Sequence, residues 1–544
     1  MRFKPSDIRD LVGRILVAGF HGSDVNDHAR RLVRDNKIRN IILFGRNVES
    51  LEQVRQLTQD LRSTALHPLL ICTDQENGVV RRIAPDLPGL PGNMAIAATG
   101  KPELAYKVGS VTAKVLGWAG IDINLAPVLD INTNPRNPVI GVRSYGDDPQ
   151  IVGEYGRQMI LGLQDHGTMA CAKHFPGHGD TSVDSHLALP VTQQSRERLE
   201  RIELIPFLTA IEAGVKMVMS AHIVLPSIEP TFMPATLSFR VLTELLRGQL
   251  GYQGVILTDC LEMDAISKTM GVGEAAVQAL HAGADMIMVS HRLEAQVEAA
   301  DSIVQAVMDQ RLSLQRLEQA AMRTEKLHRS SHQVRQRHLT ATTADGLRLQ
   351  ASTLQREVCP RAVTVVRNLH HVIPLRKQDV SNIVVLLDEH MQPMQASDNG
   401  YSTNLFVRLL CEQFPSQTIQ SFVIPERKME AMEEIETAGA VGAVEAELRG
   451  DLPFIKAQAT AADVVLACLN GLANNNYLKL VQEFIDDGVN IVIVALQNPY
   501  DFTALQGDKT SLAIYEYTPW MVKAGIETLF GAPAYGTLPV HFHV

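Results

Sequence analysis

Short apolar strands alternate with amphipathic helical stretches through about the first 295 residues of the chain. This β/α rhythm is typical of a parallel sheet, because parallel strands are joined by crossover helices. Runs such as 255–257 and 286–289 lack polar alternation, which indicates that both faces of the sheet are covered. Eight candidate strands can be counted, at 15–20, 40–44, 69–73, 121–126, 169–172, 216–219, 254–258 and 284–289. The pattern predicts a (β/α)8 barrel, whose active site sits at the carboxyl ends of the strands.

Polar and mostly titratable side chains follow directly after most of these strands. They are Asp74, Asp130, Lys173, His174, His222, Asp259, Ser290 and His291. Because the carboxyl ends of barrel strands meet at one rim, distant parts of the chain would deliver these groups to the same face. We therefore expect a catalytic or binding site at that rim.

The densest group of titratable residues lies in one segment, 172–186, which reads AKHFPGHGDTSVDSH. Its Pro-Gly pair and second glycine forbid a helix, so the segment should be a strand that breaks into a loop. A solvated loop without a function is one alternative. A metal site built on its histidines is another, but the Pro-Gly pair between His174 and His178 removes the helical spacing that zinc motifs use. The sequence has no Cys-x-x-Cys spacing, and we expect no metal and no cofactor.

Length and composition limit the classes of protein that the chain can belong to. Its 544 residues exceed what one core usually supports, so two domains are expected. A net charge of -10 argues against nucleic-acid binding. The six cysteines are scattered, which favours reduced thiols, and the apolar run at 15–20 is too short for a signal core or a membrane span. We expect a cytoplasmic protein with no membrane or nucleic-acid partner.

A second β/α series follows a basic, polar stretch that begins near residue 327. Its buried strands are expected at 362–366, 383–387, 464–469 and 491–496, with helices at 477–487 and 521–529. The sequence thus predicts a barrel over 1–335, a linker over 336–358 and a smaller doubly wound α/β sandwich domain over 359–544. No Gly-x-Gly-x-x-Gly loop marks the second domain as a nucleotide site.

These residues resemble glycoside hydrolase family 3, in particular its β-N-acetylglucosaminidase branch. The resemblance is carried by KHFPGHGDT at 173–181 with DSH at 184–186, and is supported by TDQENG at 73–78, APVLD at 126–130, GVRSYG at 141–146, PATLS at 234–238, TDCLEM at 258–263 and AGAD at 282–285. It extends weakly into the second domain through IPL at 373–375 and GTLPV at 536–540. The resemblance implies a catalytic barrel followed by an α/β sandwich.

The resemblance also implies roles for three catalytic residues. Asp259 falls at the position of the family's nucleophile, which attacks the sugar in a retaining mechanism. Glu262 and Asp264 are nearby competitors that lie further past the strand end. His186 would be the acid/base, since a histidine titrates near neutral pH, and Asp184 would orient its imidazole.

Six further residues are expected to bind the sugar. Asp74 would accept hydrogen bonds from hydroxyls, and Arg82 and Arg143 would donate to hydroxyl or acetamido oxygens. Arg81 competes with Arg82, which the family's spacing from Asp74 favours. The other three residues are Lys173, His174 and His222, of which His222 could equally be a core histidine.

Two departures from the family's pattern and several rival functions stay open. Asn77 stands where glycine is more usual, and Cys260, where Asp or Ala is common, could make an enzyme sensitive to thiol reagents.

With two tryptophans in the chain, a pocket for one terminal sugar fits better than a polysaccharide platform. The expected function is exo-acting hydrolysis of N-acetylglucosaminides. The alternatives are a phosphorylase that uses the same residues, a β-glucosidase, or a non-catalytic sugar-binding protein. The oligomeric state stays open.

Overall fold

A computed structural model describes residues 4–83, 85–185, 189–338, 343–389, 401–402, 404–424, 452–471, 474–507 and 509–542. The chain divides into two compact units. The first comprises Met1–Leu90 and Pro102–Leu354, and the second comprises Pro91–Lys101 and Gln355–Val544. The sequence division did not separate the short piece at 91–101 from the barrel.

The first unit is the expected barrel. Its eight parallel strands are β1 (Leu16–Ala18), β2 (Asn40–Leu43), β3 (Leu70–Thr73), β4 (Ile123–Asn124), β5 (Met169–Phe175), β6 (Met217–Ser220), β7 (Val255–Thr258) and β8 (Ile287–Val289). Neighbours pair in the order β7-β6-β5-β4-β3-β2-β1-β8, and a bridge between Leu257 and Met286 joins the two ends of this series. The predicted fold class is confirmed.

Helices surround these strands. They are α1 (Pro5–Ile15), α2 (Asp27–Arg30), α3 (Leu51–Thr64), then, after a helix of the second unit, α5 (Pro102–Trp118), α6 (Pro149–Asp165), α7 (Arg196–Arg201), α8 (Ile205–Glu212), α9 (Asp264–Ser267), α10 (Val272–Ala282), α11 (Leu293–Met308) and α12 (Leu314–His338), with α13 (Ala344–Ala362) leading into the second unit. A π-helical segment, Arg240–Gln249, precedes β7. Local sequence sets several helix starts. The Asp148 carboxylate, for example, accepts hydrogen bonds from the Gln150 and Ile151 amides ahead of α6.

One apolar cluster fills the barrel interior. It is built from side chains of all eight strands, including Val17, Ile42, Cys72, Ile123, Cys171, Met219, Leu257 and Met288. Phe44 and Met263 are partly buried and pack against this cluster. Because apolar side chains fill the interior, the polar groups gather at the strand ends, as is usual in barrels of this kind.

The second unit is built on a six-stranded mixed sheet. Its strands are β9 (Thr364–Arg367), β10 (Asn382–Asp388), β11 (Thr418–Ile424), β12 (Val464–Leu469), β13 (Ile491–Ala495) and β14 (Thr510–Ala513), in the order β11-β10-β12-β13-β14-β9. Only β9 is antiparallel to its neighbour among these pairs. The helices are α4 (Asn93–Ala98), α14 (Leu405–Gln413), α15 (Leu452–Ala461), α16 (Asn475–Asp486) and α17 (Pro519–Leu529). The predicted α/β class of this domain is confirmed, although β11 and β14 were not foreseen.

Within the part of the chain described, no helix combines the length and the apolar character that crossing a membrane requires.

Candidate active site

A buried network of ion pairs lies at the carboxyl ends of β3 and β5. The Lys173 ammonium is 2.6 Å from a carboxylate oxygen of Asp74 and 2.6 Å from one of Glu76. The Arg143 guanidinium binds both oxygens of Glu76, at 2.9 and 2.8 Å, and also donates to the Val139 carbonyl at 2.9 Å. The predicted residues Asp74, Lys173 and Arg143 are therefore brought together, with Glu76 as their link.

Electrostatics keep Glu76 and Lys173 ionised. Burial alone would raise the pKa of Glu76, but Arg143 and Lys173 outweigh it and hold that pKa well below its usual range. Burial would likewise lower the pKa of Lys173, yet Asp74 and Glu76 raise it, so the ammonium persists. Lys173 is only 2% exposed, and a buried charge of this kind is tolerable only when it is paired.

Asp130, which follows β4, holds His174 and His178 in place. One oxygen of this fully buried carboxylate lies 2.6 Å from His174 Nδ1. The other accepts the His178 amide at 2.7 Å. Nδ1 of His174 therefore carries the hydrogen, which fixes the orientation of the ring.

The loop after β5 folds back onto His178. His178 Nδ1 lies 2.7 Å from the Thr181 hydroxyl, and Nε2 lies 3.0 Å from the Ser185 hydroxyl. Burial lowers the pKa of His178 to about 4, against the opposing effect of Asp130, so the ring is neutral at neutral pH. Asp184 is 6% exposed in this loop. His186, the expected acid/base, lies outside the described residues.

Asp259 stands directly after β7, at the rim of the barrel. It is half-buried, and its Oδ1 accepts the Cys260 amide at 2.7 Å. Its negative charge opposes the effect of burial on the pKa of His178 and adds to it at the Cys171 thiol, so the carboxylate lies within electrostatic range of β5 and of the loop that follows it. A half-buried carboxylate held by a backbone amide can serve as a nucleophile.

His222 lies beneath this turn. It is fully buried, with Nδ1 2.9 Å from the Thr236 hydroxyl and Nε2 3.0 Å from the Cys260 carbonyl. Protein atoms thus engage both ring nitrogens. In this arrangement His222 supports the turn that carries Asp259, while its role as a sugar contact stays a prediction.

The two adjacent arginines after β3 differ in burial. The Arg81 guanidinium donates to the Leu87 carbonyl, and the residue is buried. Arg82 is half-buried, and its amide donates to Gln75 Oε1 at 3.0 Å. The choice of Arg82 over Arg81 as the sugar-binding residue stays a prediction.

Asn77 and Cys260, the two departures from the family's pattern, can be explained. Asn77 has a φ of 71°, a left-handed conformation that favours glycine but that asparagine tolerates. Its side-chain Nδ2 donates to the Thr112 hydroxyl at 3.1 Å. Cys260 is buried, and burial raises the pKa of its thiol to about 12. The thiolate is the reactive form, so burial disfavours reaction at this cysteine, and sensitivity to thiol reagents stays a prediction.

Sequence reasoning missed the importance of Glu76 and treated Asp130 only as one of several polar residues at the rim. Glu76 lies inside the TDQENG block, but nothing local shows that Arg143 and Lys173 converge on it. Within the described residues, no cluster of three or more His, Cys, Asp or Glu side chains is arranged to hold a metal ion.

The fold and the site define a class: a two-unit protein whose (β/α)8 barrel carries carboxylates and imidazoles at its carboxyl rim. The model of the glycosyl hydrolase family 3 N-terminal domain matches residues 8–327. The chain therefore belongs to glycosyl hydrolase family 3. Its relatives place it in the β-hexosaminidase branch of that family.

Three comparisons support this placement. A β-hexosaminidase A from Pseudoalteromonas piscicida is 34% identical over 66% of this chain and 64% of its own length, so the chain spans less than two thirds of that relative. A β-hexosaminidase from Alkalilimnicola ehrlichii is 35% identical over 52% of this chain and 81% of its own. The solved structure of a family 3 β-N-acetylglucosaminidase from Paenibacillus sp. FPU-7 matches with a TM-score of 0.86 and 36% identity, over 98% of both chains.

Proposed function

We propose that the protein is a retaining, exo-acting β-N-acetylglucosaminidase that removes terminal β-linked N-acetylglucosamine. The observation that carries the proposal is the shared rim: the half-buried Asp259 at the end of β7 and the charged wall of Asp74 and Lys173 at the ends of β3 and β5. The full-length likeness to the Paenibacillus β-N-acetylglucosaminidase supports the choice of sugar.

Asp259 acts as the nucleophile in this proposal. Its carboxylate attacks the anomeric carbon, and the sugar–oxygen bond to the leaving group breaks, which leaves a glycosyl ester on Asp259. The hydrogen bond from the Cys260 amide orients the carboxylate and stabilises its charge before attack. Water then cleaves the ester with retention of configuration.

His186 is the proposed acid/base. It protonates the leaving oxygen in the first step and takes a proton from water in the second. Asp184, buried in the described part of the same loop, orients the imidazole and stabilises its cationic form. The resemblance at 173–186 supports these roles. Because His186 lies on this loop, proton transfer depends on the position of the loop relative to the bound sugar.

The wall at β3 and β5 binds the sugar hydroxyls. Asp74 accepts hydrogen bonds from the sugar. The Lys173 ammonium, 2.6 Å from Asp74 Oδ1, fixes the orientation of that carboxylate. His174 is held for the same purpose by Asp130. Arg82 donates to the sugar. Arg143 already donates to Glu76 and Val139, so its main contribution is to hold this wall in shape.

The test measures turnover of nitrophenyl N-acetylglucosaminide and nitrophenyl glucoside by the wild type and by Asp259→Asn. We expect turnover of the N-acetylglucosaminide only, and a loss on the order of 10⁴-fold or more in the variant. The matched control is Asp264→Asn, because Asp264 follows the same strand and pairs with the exposed Lys268 on its own helix. Its activity should stay within about twofold of the wild type.

Products measured in phosphate and in phosphate-free buffer separate a hydrolase from a phosphorylase. We expect free N-acetylglucosamine in both buffers. N-acetylglucosamine 1-phosphate would favour the phosphorylase. A wild type that binds the sugar without any turnover would support the sugar-binding alternative and contradict the proposal.

A further inference from the structure

A layer of side chains lines the mouth of the barrel. The interior side chains of the strands recur at every second residue, as in Cys72 after Leu70, because strand side chains alternate between two faces. One further step of two residues along each strand leads to the layer at the carboxyl rim, called here the mouth layer. Its members are Gly19, Phe44, Asp74, Pro127, Lys173, Ala221, Asp259 and Ser290. The mouth layer thus joins the proposed nucleophile and two charged sugar-binding residues to one aromatic ring, that of Phe44.

Phe44 lies beside Asp74 in this layer. Leu43 pairs with Thr73 between the parallel strands β2 and β3, so the next residues, Phe44 and Asp74, occupy neighbouring positions on strands about 4.8 Å apart. The Phe44 side chain packs on the interior cluster but is only partly buried. Part of an apolar ring is therefore exposed next to the carboxylate that binds sugar hydroxyls in the proposed function.

Two neighbouring side chains hold the Phe44 ring in place. The Arg46 guanidinium carbon lies 4.3 Å from the ring centroid, and the guanidinium donates to the carbonyls of Phe20 and Ser290 at 3.0 and 2.9 Å. The His291 ring lies 5.3 Å from the Phe44 ring, centroid to centroid. A ring that is fixed before binding loses little conformational entropy when a ligand contacts it.

A pyranose presents two kinds of surface to such a mouth. Its hydroxyls need hydrogen-bond partners, which Asp74 and Lys173 can supply, whereas its C–H groups are apolar and gain free energy when they leave water. Small-molecule pockets therefore combine a few polar groups with apolar or aromatic side chains. In the mouth layer, Phe44 supplies the aromatic surface.

We propose that Phe44 is a sugar-contacting residue: the exposed part of its ring covers apolar C–H groups of the terminal sugar whose hydroxyls Asp74 binds. This assignment rests on the proposed function, which supplies the sugar. Phe44 takes no part in the chemistry, so it contributes to affinity and not to proton transfer or nucleophilic attack.

The first measurement is the Kd of N-acetylglucosamine, by titration calorimetry, in the full-length wild type and in Phe44→Leu. Leucine keeps an apolar side chain on the interior cluster but removes the flat ring. The matched control is Phe20→Leu, because Phe20 ends the neighbouring strand β1, one residue past the mouth layer, and is fully buried. Thermal unfolding shows how far each variant is destabilised.

We expect the Kd to rise about fivefold in Phe44→Leu and to stay within about twofold of the wild type in Phe20→Leu. A merely structural role for Phe44 would lower the thermal stability and leave the Kd unchanged. An unchanged Kd in folded Phe44→Leu would overturn the inference.

A second measurement detects the contact itself in the wild type. Nuclear Overhauser effects are recorded between bound N-acetylglucosamine and a deuterated protein whose phenylalanine rings alone carry protons. We expect cross-peaks from ring protons to sugar C–H protons, and their loss in Phe44→Leu. Their absence from the wild type, or their persistence in the variant, would overturn the inference while turnover of N-acetylglucosaminides leaves the proposed function standing. A wild type that neither binds nor cleaves these sugars would reject both.

Discussion

At the scale of single residues, the buried Lys173 best shows how the site is stabilised. It is enclosed by the carboxylates of Asp74 and Glu76, and Arg143 supplies a second positive charge to Glu76. Two cations and two anions thus balance, and three of these side chains, those of Lys173, Glu76 and Arg143, are buried. Breaking one partner of such a buried network leaves an uncompensated charge, which costs far more than an exposed pair is worth.

The substitution Lys173→Met tests this balance. We expect the free energy of unfolding to fall by about 3–5 kcal/mol, because Asp74 and Glu76 lose their shared partner. Urea unfolding measures the change. Lys268→Met is the control, since its pair with Asp264 joins residues four apart on one exposed helix face and contributes about 0.5 kcal/mol or less. Similar small losses in both variants would contradict the account.

His178 predicts how stability depends on pH. Its pKa is about 4 in the folded protein and 6.5 in the unfolded chain, so at neutral pH both forms are neutral. Between pH 6.5 and 4 the unfolded chain binds a proton that the folded chain does not. The free energy of unfolding should therefore fall as the pH falls through this range, by up to about 3 kcal/mol from this residue.

Denaturant unfolding at pH 7, 6, 5 and 4 checks this prediction in the wild type and in His178→Gln. Asp130 and other groups titrate in both proteins, so the difference between the two isolates the histidine. The variant should lose less stability than the wild type between pH 6.5 and 4. Parallel curves would show that His178 binds its proton equally in the folded and the unfolded protein, and would refute the assignment.

At the scale of elements, the apolar runs predicted the barrel strands because each of them is buried. They did not predict β11, whose burial alternates along an edge strand, or β14, whose first two residues carry hydroxyls. They also ended β5 too early: the strand continues through Lys173 and His174 to Phe175, which pairs with Ser220. In a sequence, charged residues such as Lys173 and His174 indicate a loop. In the fold their buried ion pairs allow them to lie in a strand.

The loop after β5 also crosses the segment after β4 at very close range. A Cβ built on Gly179 would lie 1.7 Å from the Ile131 carbonyl oxygen, a contact that the backbone would have to relieve by moving. We expect Gly179→Ala to displace the loop and to lower kcat/KM for chitobiose by about tenfold or more, since misplaced catalytic groups lose rate steeply.

Gly117→Ala is the control for this change. A Cβ at Gly117, in α5, meets no heavy atom within 4 Å, so alanine there should be neutral or slightly stabilising. Steady-state kinetics and thermal unfolding compare the two variants. A Gly179→Ala protein with wild-type kinetics would show that the close crossing has no bearing on the site.

At the scale of the whole molecule, the sequence predicted the barrel, the second α/β domain and most of the rim, but not contacts between distant segments. Glu76 and Arg143 are 67 residues apart, and their pairing requires β3 and β4 to lie side by side in the sheet. Residues 91–101 follow β3 in sequence yet belong to the second unit, where the Gly92 amide donates to Glu516 at 2.9 Å and the Thr537 amide donates to Ala98 at 2.8 Å. Local periodicity carries no information about such partners.

The central claim is that Asp259 forms a covalent ester with the sugar. The most direct test is to trap the enzyme with 5-fluoro-N-acetylglucosaminyl fluoride, digest it, and map the labelled peptide by mass spectrometry. The account predicts one label, on Asp259, and none in Asp259→Asn. A label on Glu262, Asp264 or any other carboxylate, or turnover without a trapped ester, would contradict it.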